Sequence, residues 1–298
     1  MKKLIVTGAS GFVGGAVVAL AKGWEIHAVA RKDISYTKEG LTWHKLDLLD
    51  TAALRSLFDD VKPDAVVHAA ASADIDFCEK NRDVAEALNV TSTTEIVRRC
   101  AASGARLVHL STDTVFDGKK GMYKETDAPG PVNFYGETKL RAEEIVRAEC
   151  PAAATPRLSL VFGYPFVAGG NSFLAKMATA VTKGERYGVP DEEMRTPVDV
   201  ITLARSFLEL AENDFAGLIH LSGNDRMTRF EASLITADRF GWNRDLLFVK
   251  NASETPGRAP RPIDVSLDNS LARATLKTPM LGLADFLNLI EEMKQQQG

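Results

Sequence analysis

The sequence predicts an α/β fold: a doubly wound parallel sheet followed by a smaller C-terminal lobe. Three observations predict it. Short β-rich runs alternate with helical patterns through the first half of the chain, which implies right-handed crossovers and parallel strands. These runs are apolar on both faces, as expected for strands covered by helices on each side. A glycine-rich turn, TGASGFVGG at 7–15, joins the first run to the first helical pattern.

The elements follow in order. KLIVTG (3–8) is a strand ending in Gly, and GFVGGAVVALAKG has helical spacing. WEIHAVAR (24–31) and LTWHKLD (41–47) are the second and third strands, with the amphipathic helix TAALRSLFDD (51–60) after them. DAVVHAAA (64–71) is a fourth strand, a long helix covers much of 79–103, and ARLVHLS (105–111) is a fifth strand. A helix containing Tyr135 runs to about Cys150, where Pro151 stops it. TPRLSLVFGY (155–164) is a sixth strand. Beyond it, helices are expected at 171–184, 199–213 and 228–241, and a strand at 217–223. Thr228 and Glu231 match a capping box and Gly241 a helix stop. ETPGRAPRP (254–262) is a Pro/Gly-rich loop. The boundaries expected are a nucleotide-binding domain over 1–165 and a substrate-binding lobe over 166–298, interleaved with the sheet around 199–228.

Composition narrows the function. The chain has 298 residues, 45% hydrophobic and 26% charged, with a net charge of −4. That balance disfavours a duplex nucleic-acid binder, which carries a basic face. It leaves a local basic pocket for an anionic small ligand open. Cys78, Cys100 and Cys150 are odd in number and widely spaced, so neither a zinc site nor a disulfide framework is expected. Lys2 and Lys3 before an apolar run imitate a signal peptide, but TGASG interrupts the run, so the segment is read as mature structure. No run reaches the ~18–20 apolar residues of a membrane span, and a cytoplasmic location is expected.

Two local patterns carry chemistry. Gly8, Gly11 and Gly14 sit between a strand and a helix, the context of a dinucleotide-binding turn in a Rossmann-type sheet. Glycine permits the tight turn, and the helix N-terminus adds its dipole to pyrophosphate binding. Tyr135 stands four residues before Lys139, so both can face one cleft. Thr112 lies just past the fifth strand. A free phenol has a pKa of ~10, and a neighbouring ammonium lowers it toward useful exchange. Arg31 and Lys32 follow the second strand, where an Arg accommodates the 2′-phosphate of NADP and an acid selects NAD. NADP(H) is therefore preferred, and Asp33 keeps NAD(H) open.

The G-x-x-G-x-x-G spacing, the HAAA at 68–71, STDTVFDG at 111–118 and Tyr135-x-x-x-Lys139 resemble the extended short-chain dehydrogenase/reductase superfamily over about the first 165 residues. STDTVFDG, YGETKL and RPIDVSLD (261–268) most resemble its dTDP-4-dehydrorhamnose reductase group, which reduces a 4-keto group on a nucleotide-linked deoxysugar. The resemblance implies cofactor contacts at Gly8, Gly11, Phe12, Val13, Gly14, Asp47, Leu48, Ala69, Ala70, Ala71, Tyr135 and Lys139. It implies that Tyr135 protonates a substrate carbonyl oxygen. Lys139 lowers its pKa and holds the nicotinamide ribose, and Thr112, or the adjacent Ser111, polarises the carbonyl. Asp74, Asn171, Arg195 and Arg261 are candidates for sugar or diphosphate contacts, with Arg258 and Asp76 beside them. His68 and His109 lie within strands and read as core.

The pattern also departs from that group. Thr114 stands where the reductases carry Tyr and the related dehydratases carry Glu, so dehydration loses its base. Arg141 and Ala142 replace a small residue and Gly. The turn lacks the Glu that some reductases place near a metal, and no metal is expected. The alternatives are an NAD-dependent sugar-nucleotide epimerase or dehydratase, and a non-catalytic NADP-binding regulatory subunit. The resemblance is compatible with a homodimer.

Overall fold

The computed structural model describes residues 1–167 and 172–297. Seven parallel strands form the main sheet: β1 (Lys2–Thr7), β2 (Trp24–Ala30), β3 (Leu41–Lys45), β4 (Ala65–His68), β5 (Arg106–His109), β6 (Ala154–Leu158) and β7 (Gly217–Leu221). Their order is 3-2-1-4-5-6-7, and a two-residue strand, Ser111–Thr112, pairs with the end of β6. The chain builds outward from β1 in one direction, then returns to add β4 on its other side. That reversal opens a crevice beyond the carboxyl ends of β1 and β4, the standard ligand position in such sheets.

The helices are α1 (Phe12–Leu20), α2 (Thr51–Val61), α3 (Ser92–Ser103), α4 (Phe134–Glu149), α5 (Phe173–Thr182), α6 (Val200–Glu212), α7 (Arg229–Phe240) and α8 (Leu283–Gln297). Successive strand residues point to opposite faces. Leu4 and Val6 therefore join the core under α1 and α6, with Val17, Leu203 and Phe207. Ile5 joins Val66, Leu107, Leu54, Ile96 and Val146 under α2, α3 and α4. This two-sided burial is why the runs read as apolar throughout. β3 is the exception: as the sheet's edge it is half-exposed.

Local signals place most ends as expected. Asn133 accepts from Gly136 N to start α4, and Cys150 closes it before Pro151. Thr228 and Glu231 form a capping box, and Gly241 at φ +66° stops α7. The helix expected over 79–103 is broken instead. It comprises Ile75–Lys80, Arg82–Glu86, a π-helical turn at Ala87–Thr91, and α3. Buried Asn89 sits in that turn; its side chain accepts from Ser72 N and donates to Ser72 O and Thr138 Oγ1. These bonds fix the exit of β4 to α4, and π-bulges recur at such sites.

The second half returns to the sheet through β7 and adds three small two-stranded sheets. Helix α8, which the polar closing residues hid, places Phe286, Leu287 and Ile290 in the main core. All three cysteines are buried and free. Among the described residues, no helix is long and apolar enough to cross a membrane.

Candidate active site

The β1–α1 turn is built so tightly that it excludes side chains. Gly8 has φ +65°, and a Cβ there would lie 2.7 Å from Ala70 N. A Cβ on Gly14 would lie 2.4 Å from the Gly8 carbonyl oxygen. The backbone of β4's exit, Ala69 to Ala71, thus packs directly on the turn. Gly14→Ala is expected to cost about 1–3 kcal/mol of stability. It should also weaken coenzyme binding, because α1 must move off the turn. Denaturant titration and calorimetry with NADPH check both.

A pocket of about 260 Å³ opens here, lined by Gly8, Ser10, Gly11, Arg31, Asp47, Leu48 and Ala69–Ala71 among others. It joins in one place most of the residues expected to hold a dinucleotide. Arg31 and Lys32 are exposed at the end of β2. Asp33, the acid that kept NAD open, is ion-paired to Lys45 at 2.7 Å. The residues present fit a dinucleotide: a side-chain-free cradle at a helix N-terminus, a cation at the ribose end and small residues opposite.

An adjoining cleft of about 690 Å³ is lined by Phe12, Val13, Gly14, Asp74, Thr112, Tyr135 and Lys139, together with residues of the second half. Helix α4 delivers Tyr135 and Lys139 one turn apart, and the short strand after β5 delivers Thr112. Burial pushes the Tyr135 phenol up from its ordinary value, the Thr112 hydrogen bond opposes this, and Asp113 and Cys78 add to the rise. Burial therefore dominates where lowering by Lys139 was expected. The Lys139 ammonium, 3% exposed, lies 3.4 Å from His109 Nε2. Burial lowers its pKa to about 8, while Glu143 pulls the other way.

Of the two adjacent hydroxyls, Thr112 is the one placed beside the phenol. Its Oγ1 also meets Thr114 Oγ1 at 2.6 Å. Ser111 instead donates to Glu143 at 2.5 Å. Thr114 is 4% exposed and buttresses Thr112. His68 and His109 are buried in β4 and β5, and burial holds both neutral, His68 at a pKa of about 3. His68 bridges Thr7 Oγ1 at 2.6 Å and Thr93 Oγ1 at 3.0 Å.

The expected substrate contacts divide. Asp74 borders the cleft but caps the helix Ile75–Lys80 by accepting from Phe77 N. Arg195 is 6% exposed and occupied: it pairs with Asp113 and Glu193 and donates to the carbonyls of Met194, Pro262 and Ile263. It braces the site from behind instead of lining it. Arg261 and Arg258 both pair with Asp76, which ties the 254–262 loop to the exit of β4. Asn171 lies outside the described residues.

The second half supplies cleft residues that sequence reasoning missed: Phe173 and Lys176 from α5, Tyr187, and Arg229 from the start of α7. Arg229 lies over the Phe173 ring at 4.9 Å and pairs with Glu193 at 3.2 Å. Helical periodicity marked the segments of Phe173, Lys176 and Arg229 without saying which face meets the cleft, and no pattern marked Tyr187, which lies in the short strand Tyr187–Val189. Among the described residues, no cluster of three or more His, Cys, Asp or Glu is placed to hold a metal.

Known proteins share this architecture. The chain is 30% identical over 275 residues to methionine adenosyltransferase 2 subunit beta of Xenopus tropicalis, covering 90% of this chain and 81% of that protein. It is 31% identical over 295 residues to the "Probable low-salt glycan biosynthesis reductase Agl14" of Haloferax volcanii, covering 96% of each. The crystal structure of dTDP-4-dehydrorhamnose reductase from Bacillus anthracis in complex with NADP superposes with a TM-score of 0.87 at 23% identity, over 98% of this chain and 100% of that one. Residues 1–292 match the RmlD substrate binding domain family, and the chain belongs to that family, within the extended short-chain dehydrogenase/reductases.

Proposed function

We propose that this protein is an NADP(H)-dependent oxidoreductase that reduces a keto group of a nucleotide-linked sugar. The observation that carries the reading is the meeting of Tyr135, Lys139 and Thr112 in one cleft that adjoins the glycine-walled pocket. NADPH, when bound, would supply the hydride. The chain's own residues supply the rest. Gly8, Gly11 and the N-terminus of α1 would hold the pyrophosphate, and Arg31 the 2′-phosphate. Thr112 would donate to the carbonyl oxygen as charge develops on it. Tyr135 would pass its proton to that oxygen, and the charged Lys139 would stabilise the phenolate left behind.

The far wall suits the remainder of such a substrate. Phe173 and Tyr187 offer aromatic surface, and the cationic side chains of Lys176 and of Arg229, the latter paired with Glu193, line the same wall. Thr114, hydrogen-bonded to Thr112 and without a carboxylate, leaves a dehydratase without its base. Oxidation of NADPH against a panel of nucleotide-linked 4-keto sugars tests the reading, and no turnover with any of them would count against it. Arg31→Ala is expected to weaken NADPH binding about tenfold or more, leaving NADH little changed. Parallel calorimetric titrations with the two coenzymes measure this.

The likeness to a methionine adenosyltransferase subunit supports a second reading, a coenzyme-binding subunit that acts by association. Co-purification with a larger partner, together with silence against the keto-sugar panel, would favour it. The intact Tyr135–Lys139 pair favours catalysis.

A further inference from the structure

Tyr135, Lys139 and Glu143 are spaced one helical turn apart along α4 and share a face. Glu143 is 6% exposed. Its Oε1 accepts from Ser111 Oγ at 2.5 Å and Arg157 Nε at 2.9 Å, and its Oε2 accepts from Arg157 Nη2 at 2.6 Å. Arg157 comes from β6, is 2% exposed, and lies over the Phe116 ring at 4.9 Å. A buried bidentate pair of this kind is costly to assemble and is weak evidence for stability alone. Its placement, one turn beyond the lysine of the cleft, gives it a second use.

We propose that Glu143 is a positioning residue: a carboxylate fixed by Arg157 and Ser111, one turn along α4, that keeps the Lys139 ammonium charged beneath the cleft. The proposal rests on the reading of Tyr135 and Lys139 as the proton-donating pair. The groups acting on Lys139 come from several elements. His109 on β5 meets its Nζ at 3.4 Å, and His68 on β4 lies tilted beside His109 with ring centroids 5.3 Å apart. Both imidazoles are held neutral by burial, so neither adds a like charge beside the ammonium. Arg157 on β6 is a like charge, directed into Glu143. Glu143 is the group that favours the charged amine against burial. Ser111 joins this network to the strand that carries Thr112, so the carboxylate also links the two walls of the site.

A purely structural pin between α4 and β6 would leave the lysine's titration where it is, which separates the two roles. The experiment uses the whole chain labelled with ¹³C at lysine Cε. The Lys139 resonance, assigned by its loss in Lys139→Arg, is followed with pH. The wild-type midpoint is expected at about 8. Glu143→Gln is expected to move it down by about one pH unit or more, whereas Glu143→Asp and Ser111→Ala, which keep the carboxylate, stay near wild type. An unmoved midpoint in Glu143→Gln, or an equal fall in Glu143→Asp, overturns the proposal. If Glu143→Gln fails to fold, Glu143→Gln combined with Arg157→Met, which removes both buried charges, is compared with Arg157→Met alone, so that the carboxylate is the only charge that differs and the midpoint is expected to be lower in the double variant. The measurement needs no substrate, so a protein inactive on keto sugars would weigh against the reductase reading while this titration still decides the role of Glu143.

Discussion

Tyr135→Phe is expected to lower kcat by about 10²–10⁴-fold while NADPH binding weakens by no more than about tenfold, the worth of one hydrogen bond. The phenol oxygen is the only atom lost, and the coenzyme cradle is built from backbone at Gly8, Gly14 and Ala69–Ala71. Burial raises the phenol above its ordinary value and Thr112 only opposes this. The hydroxyl therefore stays protonated at neutral pH, which suits a donor. Reduction needs that proton on the oxygen; oxidation of an alcohol needs it removed first. The protein is thus expected to run as a reductase near neutrality, with any reverse reaction strengthening as pH rises. Stopped-flow measurement of NADPH oxidation and calorimetric titration of NADPH check the two halves. A variant that kept near-normal turnover would remove the phenol from the chemistry.

The parts of this site that were legible in the sequence are the ones built from short spacing. Gly8, Gly11 and Gly14 lie in one turn, and Tyr135 and Lys139 lie one helical turn apart, so pattern alone places them together. Arg31 was legible because it ends a strand whose position in the sheet follows from the alternation. What was hidden depends on long-range partners. Arg195 has the residue type for a phosphate, yet Asp113 and Glu193 claim it in the core. Arg229 looks like an ordinary first-turn helix residue, yet the return of the second half carries it to the cleft. Glu143 reads as a polar position on a mixed helix until Arg157, fourteen residues later, meets it from strand β6. The break in the helix over 79–103 was invisible for the same reason: propensity sees a continuous helix, while Asn89 trades regular bonding for contacts to Ser72 and Thr138.

Lys139→Met is expected to lose turnover and gain stability. Folding moves the Lys139 pKa from 10.5 down to about 8, chiefly by burial. Between those values the unfolded chain binds more protons than the folded one, so stability rises with pH across that window. Below about pH 8 the whole penalty of burying the charged amine is present, on the order of 3 kcal/mol. Methionine matches the lysine stem in length and carries no charge. Glu143 keeps Arg157 and Ser111 as partners when the lysine goes. The variant is therefore expected to be more stable than wild type at pH 7 by up to about 3 kcal/mol, with the gain shrinking above pH 8 and gone near 10.5. Urea titrations of both proteins at a series of pH values measure the difference directly. A gain that did not fade with pH would point to packing, and a loss at every pH would show that the ammonium is stabilised by its surroundings. The expected pattern is that of a residue retained for chemistry against the interest of the fold: a buried cation one helical turn from the phenol it is proposed to serve.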